Sequence, residues 1–187
     1  TDAPDGFASS LKVTTTTAEG SVGAADGYRP LHYKIEGQDL QQLQYGTSGA
    51  KSLTLSFYVK SSVTGTYGLT FRRIETQERI ITATYTISSA NTWEFKTITI
   101  TGDTSSSITN DHANRFEVHW IGGTGTDETA TDTSGSWTNY VSTGFSFGHS
   151  SSVQLQNTLN STWLITGVQL EVGEKATPFE HRSYGDE

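Results

Sequence analysis

The sequence predicts an all-β fold: an antiparallel two-sheet β-sandwich of jelly-roll type, with one short helical turn. Three observations lead there. Apolar and polar residues alternate with period two through one run after another, most plainly from Ser52 to Arg73. Ser-, Thr- and Gly-rich spacers separate the runs, and strands follow strands without long helices between them. Only 33% of residues are hydrophobic, yet eight Phe, eight Tyr and four Trp supply the bulk that a disordered chain lacks.

The strongest stretch is S-L-T-L-S-F-Y-V-K-S-S-V-T-G-T-Y-G-L-T-F-R-R, residues 52–73. Leu53, Leu55, Phe57 and Val59 alternate with Thr54, Ser56, Tyr58 and Lys60. After a Ser/Thr/Gly turn, Tyr67, Leu69 and Phe71 alternate with Gly68, Thr70 and Arg72. This reads as an antiparallel hairpin with one buried and one wet face.

Ahead of it, a loop carrying Pro4 and Gly6 leads into a first strand over Phe7–Thr16, alternating through Leu11 and Val13. Ala18–Pro30 is a loop, and Leu31, Tyr33 and Ile35 mark a second short strand. In Gly37–Tyr45, Leu40 and Leu43 share a helical face in a run too short to stand alone, so it is read as a turn lidding one end of the sheet. Beyond residue 73, Arg79–Ile87 is a strand with Ile81, Ala83, Tyr85 and Ile87 on one side, and Thr92–Thr101 is the next. Asp103–Asn114 is a polar loop. Arg115–Ile121 sets Phe116, Val118 and Trp120 against Arg115, Glu117 and His119. Gly122–Ser136 reads as a long exposed loop. Tyr140–Phe147, Ser152–Leu155 and Thr162–Val172 complete about nine to eleven strands. In the last, Gly167 between Ile165 and Val168 breaks the period, predicting a bulge after which Val168, Leu170 and Val172 face inward. An immunoglobulin-like sandwich fits the spacings but lacks its Cys and Trp landmarks.

The chain of 187 residues fits one domain with a substantial core. A net charge of −8 without any basic run argues against a nucleic-acid partner and against an anionic membrane surface. No apolar run is long enough to span a bilayer. Cysteine is absent, so redox chemistry says nothing of compartment. Methionine is absent even at position 1, which leads us to expect a domain excised from a longer chain.

Chemical motifs are sparse. Gly144-Phe145-Ser146-Phe147-Gly148 spells a nucleophile elbow, but that device needs a strand-to-helix turn in an α/β sheet, and a polar strand follows. Histidines 32, 112, 119, 149 and 181 show no zinc spacing and read as scattered surface residues, His119 standing out for sharing a face with Glu117 and Arg115. The favoured role for His119 is an ion pair or hydrogen bond. Asp103, Asp111, Asp127, Glu128 and Asp132 read as solvated loop acids; a structural calcium ion is the alternative, and no other cofactor is expected. Paired carboxylates for glycoside cleavage leave no linear signature, and nothing nominates a pair. Trp93, Trp120 and Trp163 sit in apolar registers and are expected in the core. Trp137 and Tyr140 flank the exposed loop and Tyr58 lies on the outer face of the central stretch. Together with Arg72, Glu117 and His119 they make the candidate carbohydrate-binding set, because rings stack on sugar faces and polar neighbours bond the hydroxyls. The bland reading of Trp137 and Tyr140 is a clamp closing the loop onto the sandwich.

Residues 52–67, the N-T-W-E-F-K-T-I-T-I-T-G-D-T run at 91–104, and W-L-I-T-G-V-Q-L-E-V-G-E-K-A-T-P-F-E-H-R-S-Y-G-D-E at 163–187 resemble the recurring domain of bacteriophage tail-fibre and other virion structural proteins, many of them marine. Residues 36–51 and the opening T-D-A-P-D-G-F fit it too. The resemblance covers nearly the whole chain. It implies a sandwich similar to jelly-roll carbohydrate-binding modules, no catalysis, and a place on the virion surface. The partner it implies is a host-surface glycan, held by a homo-oligomer, a trimer as in fibres generally. The alternative is a cement role, decorating capsid or tail by binding neighbouring virion proteins. A hydrolytic depolymerase ranks below both.

Overall fold

The structure, a computed structural model, describes residues 2–130, 135–140, 148–149 and 153–181. Eight strands carry it: β1 (Leu11–Thr14), β2 (Leu31–Glu36), β3 (Leu53–Ser61), β4 (Gly65–Arg73), β5 (Arg79–Ile87), β6 (Glu94–Ile100), β7 (Asn114–Ile121) and β8 (Thr162–Val172). One antiparallel sheet runs β1-β8-β3-β6. The other runs β2-β7-β4-β5, extended beyond β5 by the two-residue strand Thr138–Asn139. Taken in chain order, this is the strand order of a jelly roll, as expected.

The central stretch is not a hairpin. β3 pairs with β6 and β8, whereas β4 pairs with β5 and β7, so consecutive arms lie in opposite layers. Phe57, Val59, Tyr67, Leu69 and Phe71 are all fully buried in one core, each arm covering the other face to face. The crossover is pinned by the Tyr67 hydroxyl, 2.7 Å from the Val63 carbonyl and 2.8 Å from Ser61 Oγ. Gly65 takes φ +137°, and a Cβ there would press on Val153 at 2.6 Å. The outer faces are also drier than expected. Thr54, Ser56, Thr70 and Thr82 are buried, the first two beside the chain beyond β8, where Thr54 donates to the Gly173 carbonyl at 2.8 Å and Ser56 lines a groove with Thr177.

Several smaller expectations need correction. The first strand covers only Leu11–Thr14, leaving Phe7 outside it. Gly122–Gly125 is buried, not exposed, with Gly123–Thr124 paired to Gly27–Tyr28. Leu155 opens a 3-10 turn, Leu155–Asn157, instead of ending a strand. Of the Tyr140–Phe147 strand only Tyr140 is described, so the Gly144-x-Ser146 motif lies outside the described residues, as do Asp132 and residues 151–152. The helical turn is a 3-10 turn over Gly37–Leu43 that buries Leu40 and Leu43 as anticipated.

The bulge at Gly167 is present: pairing of β8 with β3 shifts between Thr166 and Gln169, and Gly167 takes φ +60°. Past it, Leu170 and Val172 stand opposite Leu55 and Leu53, on the core side. Even so, Val168 and Val172 are 40% and 43% exposed. The reason is position. β1 ends where it pairs with Thr162–Ile165, so the rest of β8 is a sheet edge, and β2 is the edge facing it. Between these edges opens an apolar cleft of about 950 Å³, lipped by Tyr33, Val168 and Val172 and floored by Leu53, Leu55 and Trp120.

One charged knot is buried. Asp103 accepts from Arg73 Nε at 3.0 Å and Arg79 Nε at 2.8 Å through one oxygen, while its other oxygen takes the Ser105 amide. Arg73 and Asp103 are 0% and 1% exposed, so this loop acid is structural, not solvated. Removing one partner of such a pair strands a buried charge. Asp103→Ala is therefore expected to lose about 3–5 kcal/mol in urea unfolding, far more than an exposed acid would. At the other end of the pH scale, burial pushes the Tyr67 hydroxyl up to about 12 and raises Tyr45 and Tyr85 too. Unfolded tyrosine ionises near about 10, so the folded state holds these protons longer, and stability is intact below that pH and lost as pH climbs from it. A spectrophotometric titration should show these phenols ionising together with loss of near-UV circular dichroism.

Candidate functional site

The outer face of the β1-β8-β3-β6 sheet carries a strip of aromatic rings. Period two along β6 sends Ile98 and Ile100 inward, and therefore Phe95 outward, with Trp93 just ahead of the strand on the same side. Tyr58 stands directly across from Phe95 in the β3–β6 register, their ring centroids 4.9 Å apart. Phe7 packs on Tyr58 at 5.3 Å, its ring reaching Gly167; a Cβ at that position would meet Phe7 Cζ at 2.6 Å. The bulge glycine thus does two jobs, re-registering β8 and making room for a ring.

The chain after β8 folds back over this face. Thr177 donates its amide to Glu171 Oε2 at 3.0 Å and its hydroxyl to Oε1 at 2.6 Å, and the Glu180 amide reaches Gln169 Oε1 at 3.0 Å. Hydrogen bonding by Thr177 and Gln169 holds the Glu171 carboxyl below the ordinary range. The returned segment sets Phe179 edge-on to Phe7 at 5.1 Å. Between it and the sheet lies a groove of about 320 Å³ lined by Ser56, Tyr58, Phe95, Thr177, Pro178 and Phe179, among others. Phe95 is 50% exposed, whereas Tyr58 is half-buried. Farther along, Trp93 donates to Asp2 Oδ1 at 3.1 Å and lies under the Lys60 ammonium, which also pairs with Asp2. Trp93 is therefore on this face and not in the core. Trp120 and Trp163 are in the core, 1% and 0% exposed.

The opposite sheet carries a polar cluster. Arg72 lies across from Glu117 in the β4–β7 register, and Arg72 Nη1 is 3.5 Å from Glu117 Oε2. Arg72 also donates to Glu78 at 3.0 Å and stacks on the Tyr140 ring at 4.8 Å. Glu117 Oε2 lies 3.0 Å from His119 Nε2, and Asn114 donates to Oε1 at 2.6 Å. Burial alone would raise the Glu117 carboxyl, but hydrogen bonds from His119 and Asn114 outweigh it and hold it down to about 2. His32 joins from β2, its ring stacked on His119 at 4.1 Å. These two histidines are not scattered surface residues.

The six residues singled out from sequence thus fall in three places. Arg72, Glu117, His119 and Tyr140 come together on the β2-β7-β4-β5 sheet, though Glu117 and His119 are buried there at 5% and 1% exposure. Tyr58 is on the other outer face. Trp137 belongs to neither: half-buried, it packs edge-on against Tyr45 and Phe116 at 6.0 and 6.2 Å and donates to the Thr101 carbonyl at 2.7 Å. Sequence reasoning missed Phe95, Phe7 and Phe179. The alternation of Ile98 and Ile100 was a sufficient signal for Phe95, whereas Phe7 and Phe179 reach the groove only through tertiary folding. His32 also needed strand pairing that no local pattern carries.

Comparisons with protein-family models, with curated proteins and with solved structures find no match to this chain.

The placement of Trp137 has a direct consequence. Trp137→Ala should lower stability by about 2–4 kcal/mol, because it removes a half-buried ring packed against the core and a hydrogen bond to Thr101. Thermal unfolding checks this, and an unchanged melting temperature would contradict the packing described.

Proposed function

We propose that the chain is a non-catalytic adhesion domain of a bacteriophage virion, of tail-fibre type, which holds host-surface carbohydrate in the groove between Tyr58, Phe95 and the returned segment. The observation carrying this reading is the groove itself. Its about 320 Å³ suits one or two sugar rings, its walls offer aromatic faces, and Ser56 and Thr177 bring hydroxyl-bearing side chains to its lining. The resemblance of residues 52–67, 91–104 and 163–187 to virion domains supports the setting. The absence of catalysis fits the neighbouring carboxylates Glu78 and Glu117, both of which are engaged by Arg72. On this reading the domain acts as a homo-oligomer, a trimer at the particle surface, adding several weak grooves together.

A second reading is favoured by a different feature. The apolar cleft lipped by Tyr33, Val168 and Val172 lies between two sheet edges with no strand paired to them among the described residues. A cement protein that packs against neighbouring copies would cover such a surface.

A glycan array probed with the purified chain separates the two. The adhesion reading expects binding to a defined sugar class, weakened about tenfold or more by Phe95→Ala, since losing one stacked ring removes on the order of 1 kcal/mol or more. The melting temperature should barely change, because Phe95 is 50% exposed. Array binding that ignores Phe95→Ala would overturn the groove. No binding at all, with self-association abolished by Val168→Glu, would favour cement.

A further inference from the structure

β2 and β7 place His32 and His119 directly opposite one another, and Glu117 precedes His119 by two residues on the same face. His32 Nε2 lies 3.4 Å from Glu117 Oε1, and His119 Nε2 lies 3.0 Å from Glu117 Oε2. Among the described residues these three form the one group of His, Asp and Glu whose ligand atoms all fall within 4.8 Å of one another. A tetrahedral zinc ion holding nitrogen and carboxylate oxygen at about 2.0–2.2 Å separates its ligand atoms by about 3.3–3.5 Å. The 3.4 Å separation falls within that spacing and the 3.0 Å one a little short of it, so uptake of an ion asks for small side-chain rotations.

We propose that His32, Glu117 and His119 form a binding site for a divalent transition metal, zinc being the ion it suits best. Two imidazole nitrogens and one carboxylate are a borderline donor set. It favours zinc over calcium or magnesium, which want six or more oxygens. In the metal-free chain His119 Nε2 donates its proton to Glu117, so binding requires that proton to move to Nδ1 or leave before Nε2 offers its lone pair to the ion.

The surroundings fit an outer shell. Asn114 orients Glu117 Oε1 by its 2.6 Å hydrogen bond, and its own Oδ1 is buried without a partner, an acceptor suited to metal-bound water. Arg72 opposes a cation, but its charge is matched by Glu78. Lys34, across from Glu117, is exposed, as is Arg29, so solvent screens both. His32 is 33% exposed at its side chain and gives the ion a way in, with a fourth position left for water. Once loaded, the site ties the edge strand β2 to β7, bracing one lip of the apolar cleft.

Isothermal titration of the chelator-treated whole chain with zinc tests this, alongside visible absorption on adding Co²⁺. We expect one zinc per chain, a Co²⁺ spectrum of tetrahedral nitrogen–oxygen coordination, and binding weakened by more than about 10-fold in His32→Ala, since losing a ligand costs at least as much as losing one of its outer-shell partners. Because His32 is partly exposed, that variant should keep the metal-free melting temperature, and Glu117→Gln provides a second, size-conserving check. His181→Ala, beside Phe7 on the outer face of the other sheet, should bind as the parent does. No uptake at about millimolar zinc, or uptake untouched by His32→Ala and Glu117→Gln, would overturn the site. Neither result bears on glycan binding, which uses the other sheet.

Discussion

The structure depends on one constraint: β3 and β4 follow each other in the chain yet lie in opposite layers, each supplying the surface against which the other buries its apolar side. Neither sheet can exist alone, because Leu55, Phe57 and Val59 on one arm and Tyr67, Leu69 and Phe71 on the other have no other cover of comparable extent. The three-residue passage between the arms must then turn from one layer to the next, and it is held there by the Tyr67 hydroxyl and by a glycine that no larger residue can replace without meeting Val153. The remaining pairing follows. Strands from distant parts of the chain must fill the places beside β3 and β4, and β8 does so beside β3 at a separation of about a hundred residues. Such long-range closure makes slow folding the expectation for this topology.

That same constraint explains what the sequence could and could not disclose. Period-two alternation says which side chains share a face; it does not say which strand lies alongside. Two arms paired as a hairpin and two arms stacked across a core produce identical patterns, so the fold class was legible at Ser52–Arg73 while the pairing was not. Alternation also assigned Val168, Leu170 and Val172 to the core side, which is where they point. Their exposure comes from β1 stopping opposite Ile165, a length no residue of β8 encodes. For the same reason polar did not mean wet: Thr54 and Ser56 lie beside the chain that returns after β8.

The candidate site shows the limit more sharply. Arg72 and Glu117 were legible as outward residues of separate strands, and register made them neighbours. Phe95 was legible in principle from Ile98 and Ile100. Trp137 carried a misleading signal, because its Gly/Ser/Thr surroundings suggest a loop in solvent, whereas Arg79 takes its carbonyl at 2.9 Å and folds the segment onto the core. The acid at position 103 misled similarly, since nothing local reveals that two arginines converge on it. Polar loop composition reports the loop's own solubility, not what the rest of the chain lays over it.

The two outer faces also differ in how firmly their side chains are held, and this bears on what each suits. On the β2-β7-β4-β5 side, Glu117 and His119 are buried and locked by Asn114, Arg72 and each other, so their geometry is set before any ligand arrives. Preorganisation of that kind suits a small, demanding partner such as a metal ion. On the other side, Phe95 is half-exposed and the groove wall is a returned segment held by a few hydrogen bonds to Gln169 and Glu171, most of them exposed. A shallow surface with two or three rings suits binding in the millimolar range, on the order of 4 kcal/mol per site. Linking several such grooves in one oligomer raises avidity by about 10² to 10⁴ when the sites can be engaged together. On the proposed adhesion reading, the weakness of each groove is then no obstacle: individual contacts with a surface glycan release and rebind while the assembly as a whole stays attached.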